Sequence, residues 1–169
     1  MNLMVLGNAR HGKDTVCEIL RDWFGLTFES SSKFVAEKAV KPWLAAKGIT
    51  YPDFPTMYAD RVNHRSDWHD AIAAYNIPDP ARLGKELYAE FDIYCGIRSR
   101  LELDALKKQG VVHFTIFVDA LKRLPAESSD SMKLSSADAD YIIDNNGTRG
   151  ELDAKVIRAY SYALAAEWS

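Results

Sequence analysis

The chain has 169 residues, 47% of them hydrophobic and 27% charged, which suits one domain with a substantial core and no low-complexity tract. A formal net charge of −3 supplies no global basic field for nucleic acid, so any such contact needs a local basic groove. No apolar run approaches a membrane span, residues 1–25 read as a folded unit rather than a signal peptide, and Cys17 and Cys95 are isolated, as buried thiols of a reducing, cytoplasmic protein would be.

In chain order, Leu3-Met4-Val5-Leu6 predicts a strand, and Gly7-Asn8-Ala9-Arg10-His11-Gly12-Lys13-Asp14-Thr15 follows it directly. This stretch completes the pattern G-x-x-x-x-G-K, with Asp14 where Ser or Thr usually stands. Gly7 and Gly12 let the backbone curl so that several N–H groups point inward. The helix predicted from Val16 to Trp23 adds its unpaired N–H groups and positive dipole end. These nine residues are the expected cradle for ATP, and Lys13 is expected to reach the β- and γ-phosphates. A glycine-rich turn with a solvated Lys13 is the alternative; the flanking strand and helix favour the cradle.

Val16, Ile19, Leu20 and Trp23 recur at helical spacing and Gly25 is placed to end that helix. Residues 26–29 predict a second strand. The triplet Ser30-Ser31-Ser32 then either binds a phosphate or sugar, or caps through Ser32 a helix over 33–47 that bends at Pro42. Residues 57–90 read as helical, with the stripe Trp68, Ala71, Ile72 and Tyr75, and with Asp79-Pro80 opening a helix that holds Leu83 and Leu87. We expect residues 49–90 to form a helical insertion over the crevice of a single domain, 1–169. Strands follow at 91–95 and 113–118, the second closed by Asp119, with a helix to about 109 between them. Residues 120–137 read as a polar loop with a mobile tip at Ser128-Ser129-Asp130-Ser131. A last strand at 141–144 leads to a Thr148–Glu151 capping box and a terminal helix with Leu152, Val156, Tyr160 and Leu164 facing the core. Alternating strands and helices imply an α/β fold with a mostly parallel, doubly wound sheet.

Phosphoryl transfer needs held phosphates, a metal, cations for transition-state charge and an oriented acceptor. For Mg²⁺ the candidates are Asp14 and Asp119, the latter ending an apolar strand in the Walker-B manner; Thr15 is an alternative to Asp14. Arg98 and Arg100 follow a strand end that aims at the crevice, and a guanidinium binds phosphate oxygens in pairs. The densest polar cluster is Asp60-Arg61-Val62-Asn63-His64-Arg65. It is either a salt-bridged helix face or an acceptor site, with Asp60 as general base and Arg61, Asn63, His64 and Arg65 on the substrate. His64 and His69 lack a third nearby ligand, which argues against zinc.

The loop with its Lys13-Asp14-Thr15 ending resembles that of phage deoxynucleoside monophosphate kinases. The wider set, adding Ser30-Ser31-Ser32, Asp60-Arg61-x-Asn63-His64-Arg65, Asp92-Ile93-Tyr94-x-Gly96-x-Arg98 and Phe117-Val118-Asp119, is similar to phage P-loop kinases acting on 5-hydroxymethyluracil in DNA. The resemblance spans roughly residues 1–150. It implies a P-loop fold of the nucleoside monophosphate kinase type, ATP and Mg²⁺ as cofactors, a pyrimidine nucleotide acceptor within DNA, and the cytoplasm of a host cell as the location. Free deoxynucleoside monophosphates are the alternative acceptor, and a nucleotide-binding adaptor without catalysis is a third reading.

Overall fold

The computed structural model describes residues 1–128 and 132–167; the tip expected to be mobile falls, at Ser129, Asp130 and Ser131, outside the described residues. Five short runs form one all-parallel sheet: β1 (Leu3–Leu6), β2 (Phe28–Ser30), β3 (Ile93–Cys95), β4 (Phe114–Asp119) and β5 (Tyr141–Asp144), in the order β2-β3-β1-β4-β5. Every residue of the central strand β1 is fully buried. Leu3 and Val5 face one core while Met4 and Leu6 face the other, the alternation of a strand enclosed between two helical layers.

One layer is α1 (Lys13–Phe24) against α8 (Arg149–Glu167). Val16, Ile19 and Leu20 pack there with Leu152, Val156, Ala159 and Ala163. The buried face of α8 therefore differs from the expected one: Leu164 is exposed and Tyr160 only partly buried, its ring tilted against Phe24. A strict four-residue spacing drifts around a helix of 3.6 residues per turn, and the observed steps of four, three and four correct that drift. The capping box does open this helix, with Thr148 N donating to Glu151 Oε2 at 2.6 Å and Glu151 N to Thr148 Oγ1 at 3.4 Å.

Between β2 and β3 the chain is helical. Ser30, not Ser32, caps α2 (Ser31–Phe34) by accepting from Lys33 N. A single wide π-type turn (Ala36–Val40) leads into α3 (Lys41–Ala46), which carries Pro42 in its first turn, where a missing N–H costs nothing. Next come α4 (Phe54–Asp60), a short tight turn (Arg61–Asn63), α5 (Arg65–Tyr75) and α6 (Arg82–Tyr88). Ala36, Val40, Leu44, Met57, Trp68 and Ala71 form a core of their own, so the helical lobe draws on residues before 49. Leu83 and Leu87 of α6 instead join the sheet's second layer with Leu103 and Leu106 of α7 (Arg100–Lys108). Among the described residues no helix is long and apolar enough to cross a membrane.

Strand β1 sends its chain to α1 on one face, and its neighbour β3 sends its chain to α7 on the other. Their carboxyl ends therefore splay apart. Such a switch point opens a crevice in an otherwise closed sheet, and the loop Gly7–Thr15 runs along it.

Candidate active site at the phosphate loop

The loop's backbone takes conformations that its sequence permits. Gly7 and Gly12 have φ of 144° and 99°, and a Cβ at either would lie 2.6 Å from Val118 O or 2.4 Å from Asn145 Nδ2. Arg10 also has positive φ, 63°, a left-handed conformation costing a non-glycine residue about 1 kcal/mol. Contacts from outside hold this shape. The His11 ring is fully buried; its Nδ1 accepts from Ala120 N at 3.0 Å, which leaves Nε2 to donate to Pro125 O at 3.3 Å. Asn145 Nδ2 donates to His11 O at 2.8 Å, and Asn145 O accepts from Arg123 Nε at 2.9 Å. His11, expected in the cradle as a phosphate-loop residue, is placed as an internal strut by these bonds.

Lys13 folds back over the loop, its Nζ donating to Asn8 O at 2.8 Å. Its stem passes beneath Gly96 at the end of β3, where a Cβ would stand 3.5 Å from Lys13 Cε. Burial holds the Lys13 amine below its usual value, so an incoming phosphate would find a poorly hydrated cation. Asp14 is exposed on the β3 side of the crevice, where its Oδ1 accepts from Cys95 Sγ at 3.4 Å. The other candidate ligand, Asp119, uses its Oδ1 to accept from Leu121 N at 2.9 Å, the turn-capping role, and its register partner on β5 is Asp144.

Among the described residues no three carboxylate, imidazole or thiol side chains gather as a metal site. Mg²⁺ on a nucleotide is held largely by phosphates and water, with one or two hard oxygen ligands from protein. The Asp14 carboxylate and the Thr15 hydroxyl, side by side in the first turn of α1, fit that donor set.

Arg98 faces the loop across the crevice. Its Nη1 donates to Glu127 Oε1 at 2.5 Å, and Glu127 Oε2 accepts from Ala9 N at 2.6 Å. Arg100, two residues on, has another occupation. It grips Asp138 with both Nη atoms and donates to Lys133 O at 3.3 Å, pinning the β4–β5 connection to the start of α7.

Within the Asp60–Arg65 cluster, Asn63 and His64 converge on Asp60, joined there by Tyr51. Tyr51 Oη donates to Asp60 Oδ2 at 2.7 Å, Asn63 Nδ2 to Oδ1 at 2.6 Å, and His64 Nε2 lies 3.2 Å from Oδ2. The Tyr51 hydroxyl, then Asn63 and His64, hold the Asp60 carboxyl below its usual range, and the same bond pushes the Tyr51 phenol up to about 12. His64 also reaches toward Asp67, its Nδ1 3.6 Å from Oδ2. Arg61 lies over the Tyr58 ring, its Cζ 4.1 Å from the centroid, and Tyr58 Oη meets Ser32 Oγ at 3.3 Å beside the end of β2. Arg65 is exposed at the start of α5. A cavity of about 220 Å³ lies beside this cluster, lined by Tyr51, Phe54, Met57, Ile49, Lys41 and Glu37 among others.

Sequence reasoning missed three residues that touch the loop: Glu127, Asn145 and Cys95. Each is distant in the chain; Glu127 and Asn145 sit in no periodic pattern, and Cys95 reads only as the end of a strand. Asn145-Asn146-Gly147 reads as a turn, and nothing local says that its first amide reaches a loop more than a hundred residues earlier.

No protein-family model and no curated protein matches the chain. Solved structures do resemble it. Shikimate kinase from Aquifex aeolicus superposes with a TM-score of 0.55 at 14% identity, covering 98% of this chain and 99% of that one. Shikimate kinase from Acinetobacter baumannii, in complex with shikimate, gives 0.53 at 17% identity over 99% and 95%. A gluconokinase from Sinorhizobium meliloti gives 0.50 at 15% identity over 95% and 91%. At such identities the likeness speaks for the fold, and it agrees with the sheet order and the loop: the chain has the α/β P-loop NTPase fold of the nucleoside monophosphate kinase type.

Proposed function

We propose that the chain is an ATP- and Mg²⁺-dependent P-loop kinase whose acceptor is a pyrimidine nucleotide, the 5-hydroxymethyl group of 5-hydroxymethyluracil in DNA being our first reading. The observation that carries the kinase reading is the switch-point crevice, with the desolvated Lys13 in the loop on one wall and Arg98 on the other. The kinases among its structural neighbours support phosphoryl transfer as the use of that crevice. The DNA acceptor rests on the resemblance of the Asp60–Arg65 and Asp92–Arg98 motifs.

The donor phosphates lie in the Gly7–Thr15 cradle, bound by inward N–H groups and by Lys13. Mg²⁺, held at Asp14 and Thr15, would neutralise phosphate charge. Arg98 offers a planar fork to the transferring group, worth most in a site from which water is excluded. In the lobe, Asp60 is the proposed base for the acceptor hydroxyl, with Arg61, Asn63, His64 and Arg65 as substrate contacts.

One observation favours the second reading, a kinase of free deoxynucleoside monophosphates. Both Asp60 oxygens are engaged, and its carboxyl is held low, which weakens it as a base. A phosphate acceptor is already ionised and needs no base. The test offers labelled ATP with hydroxymethyluracil-containing DNA and, separately, with deoxynucleoside monophosphates. Label in the DNA is expected; label in the monophosphates alone removes the DNA reading, and label in neither removes both acceptors and favours the nucleotide-binding adaptor.

A further inference from the structure

The carboxylate of Glu127 stands between the phosphate loop and Arg98. Its Oε2 accepts from the Ala9 amide at 2.6 Å and its Oε1 from Arg98 at 2.5 Å. Its own backbone N–H donates to Asn8 Oδ1 at 3.0 Å, which anchors the segment to the loop. Burial alone would raise its carboxyl, but Arg98, the Ala9 N–H and the field of Lys13 outweigh burial and hold it below the usual range. A loop amide, a guanidinium and the P-loop lysine are the groups a P-loop offers to the distal phosphate of a nucleotide.

We propose that Glu127 is an internal occupant of the terminal-phosphate subsite, a carboxylate latch that a nucleoside triphosphate must displace. The inference rests on the nucleotide reading of the loop. A carboxylate sets two oxygens on donors that would otherwise meet two phosphate oxygens, so it competes for them directly. The fraction of molecules with the latch closed lowers the apparent affinity for any ligand that needs the subsite, and for no other. Displacement has a second result. It breaks the Arg98–Glu127 contact as the terminal phosphate arrives, so filling the subsite and parting that pair are one event.

The test is calorimetric titration of the full chain with ATP and with ADP, each with Mg²⁺, for wild type, Glu127→Gln and Glu127→Ala. The latch predicts roughly tenfold tighter ATP binding in both variants, the scale of one charge-assisted contact no longer competing, with ADP changed by no more than about twofold. Glu127→Gln keeps the side chain's volume and an acceptor oxygen; with its fold checked by circular dichroism, it carries the test if the alanine variant fails to fold. Unchanged or weaker ATP binding overturns the latch. So does an equal gain for ATP and ADP, which would report only the removal of a negative charge near an anion. If wild type and variants alike bind no ATP, the nucleotide reading falls and the latch falls with it.

Discussion

The phosphate loop and the Asp60 cluster are the two polar centres of this molecule, and they are held in different ways. The loop is fixed through its main chain: two glycines take conformations closed to other residues, and two buried side chains, the His11 imidazole and the Asn145 amide, bond main-chain atoms. The cluster is joined side chain to side chain, with Tyr51, Asn63 and His64 converging on one carboxylate that is partly open to solvent. Backbone geometry cannot be traded for another residue type without strain, whereas a side-chain cluster can be re-addressed by single substitutions. Under the proposed kinase reading, the contrast fits a division of labour in which the donor side is rigid and the acceptor side adaptable.

The largest effect should come from the rigid side. Lys13→Met keeps the stem under Gly96 but removes the cation, and transfer from ATP should fall about a thousandfold or more, since the lost charge serves both ground-state phosphate and transition state. A radiolabel transfer assay reads this directly. A loss below tenfold would mean that the loop's lysine is not at the reacting phosphates.

A second prediction probes the joint between the two regions. Glu102, in the first turn of α7, is buried and accepts from Tyr94 Oη of β3 at 2.9 Å, with Asn76 after α5 as a further partner. Desolvation pushes its carboxyl up to about 7 from an ordinary 4.5. The sign follows from proton uptake. Between those values the folded state binds more protons than the unfolded chain, so stability falls as pH rises through the window and levels off above it. The full penalty is about 3 kcal/mol at pH 8. Glu102→Gln keeps both partners without the charge, so it should unfold at higher denaturant than wild type at pH 8 and no differently at pH 4.5. Equal midpoints at pH 8 would show that Glu102 ionises without penalty.

How much of this was legible beforehand differs between the same two regions. The loop, the strand before it and the helix after it are contiguous, so Gly7, Gly12 and Lys13 announce themselves at fixed spacing. The five strands were readable within a residue or two because each is a short apolar run between turns. The partners of the loop were not, because Glu127 and Asn145 reach it across the sheet from connections with no period of their own. Arg100, two residues from Arg98 in sequence, grips Asp138 in space, a pairing with the β4–β5 connection that no local pattern announces. In the lobe, composition told that Asp60 to Arg65 belong together but not who holds whom. The pairing with Tyr51, nine residues back across the start of α4, needed coordinates.

The smallest of the three effects concerns Asp60, and it bears most directly on the acceptor. If Asp60 takes the proton from a hydroxymethyl acceptor, Asp60→Asn should slow phosphorylation of DNA roughly a hundredfold, the usual worth of a general base, with ATP affinity unchanged. Because the carboxyl is held low, it is ionised throughout the neutral range, so wild-type rates should show no Asp60 step above the ordinary carboxylate window. Asparagine keeps an acceptor oxygen for the Tyr51 hydroxyl, and its NH2 can donate to Asn63 once that amide turns over, so the measurement reads chiefly the lost charge. A purely architectural Asp60 would leave the rate within a few-fold of wild type. That result would remove the base, and with it the main chemical reason to prefer a hydroxyl acceptor over an already ionised phosphate.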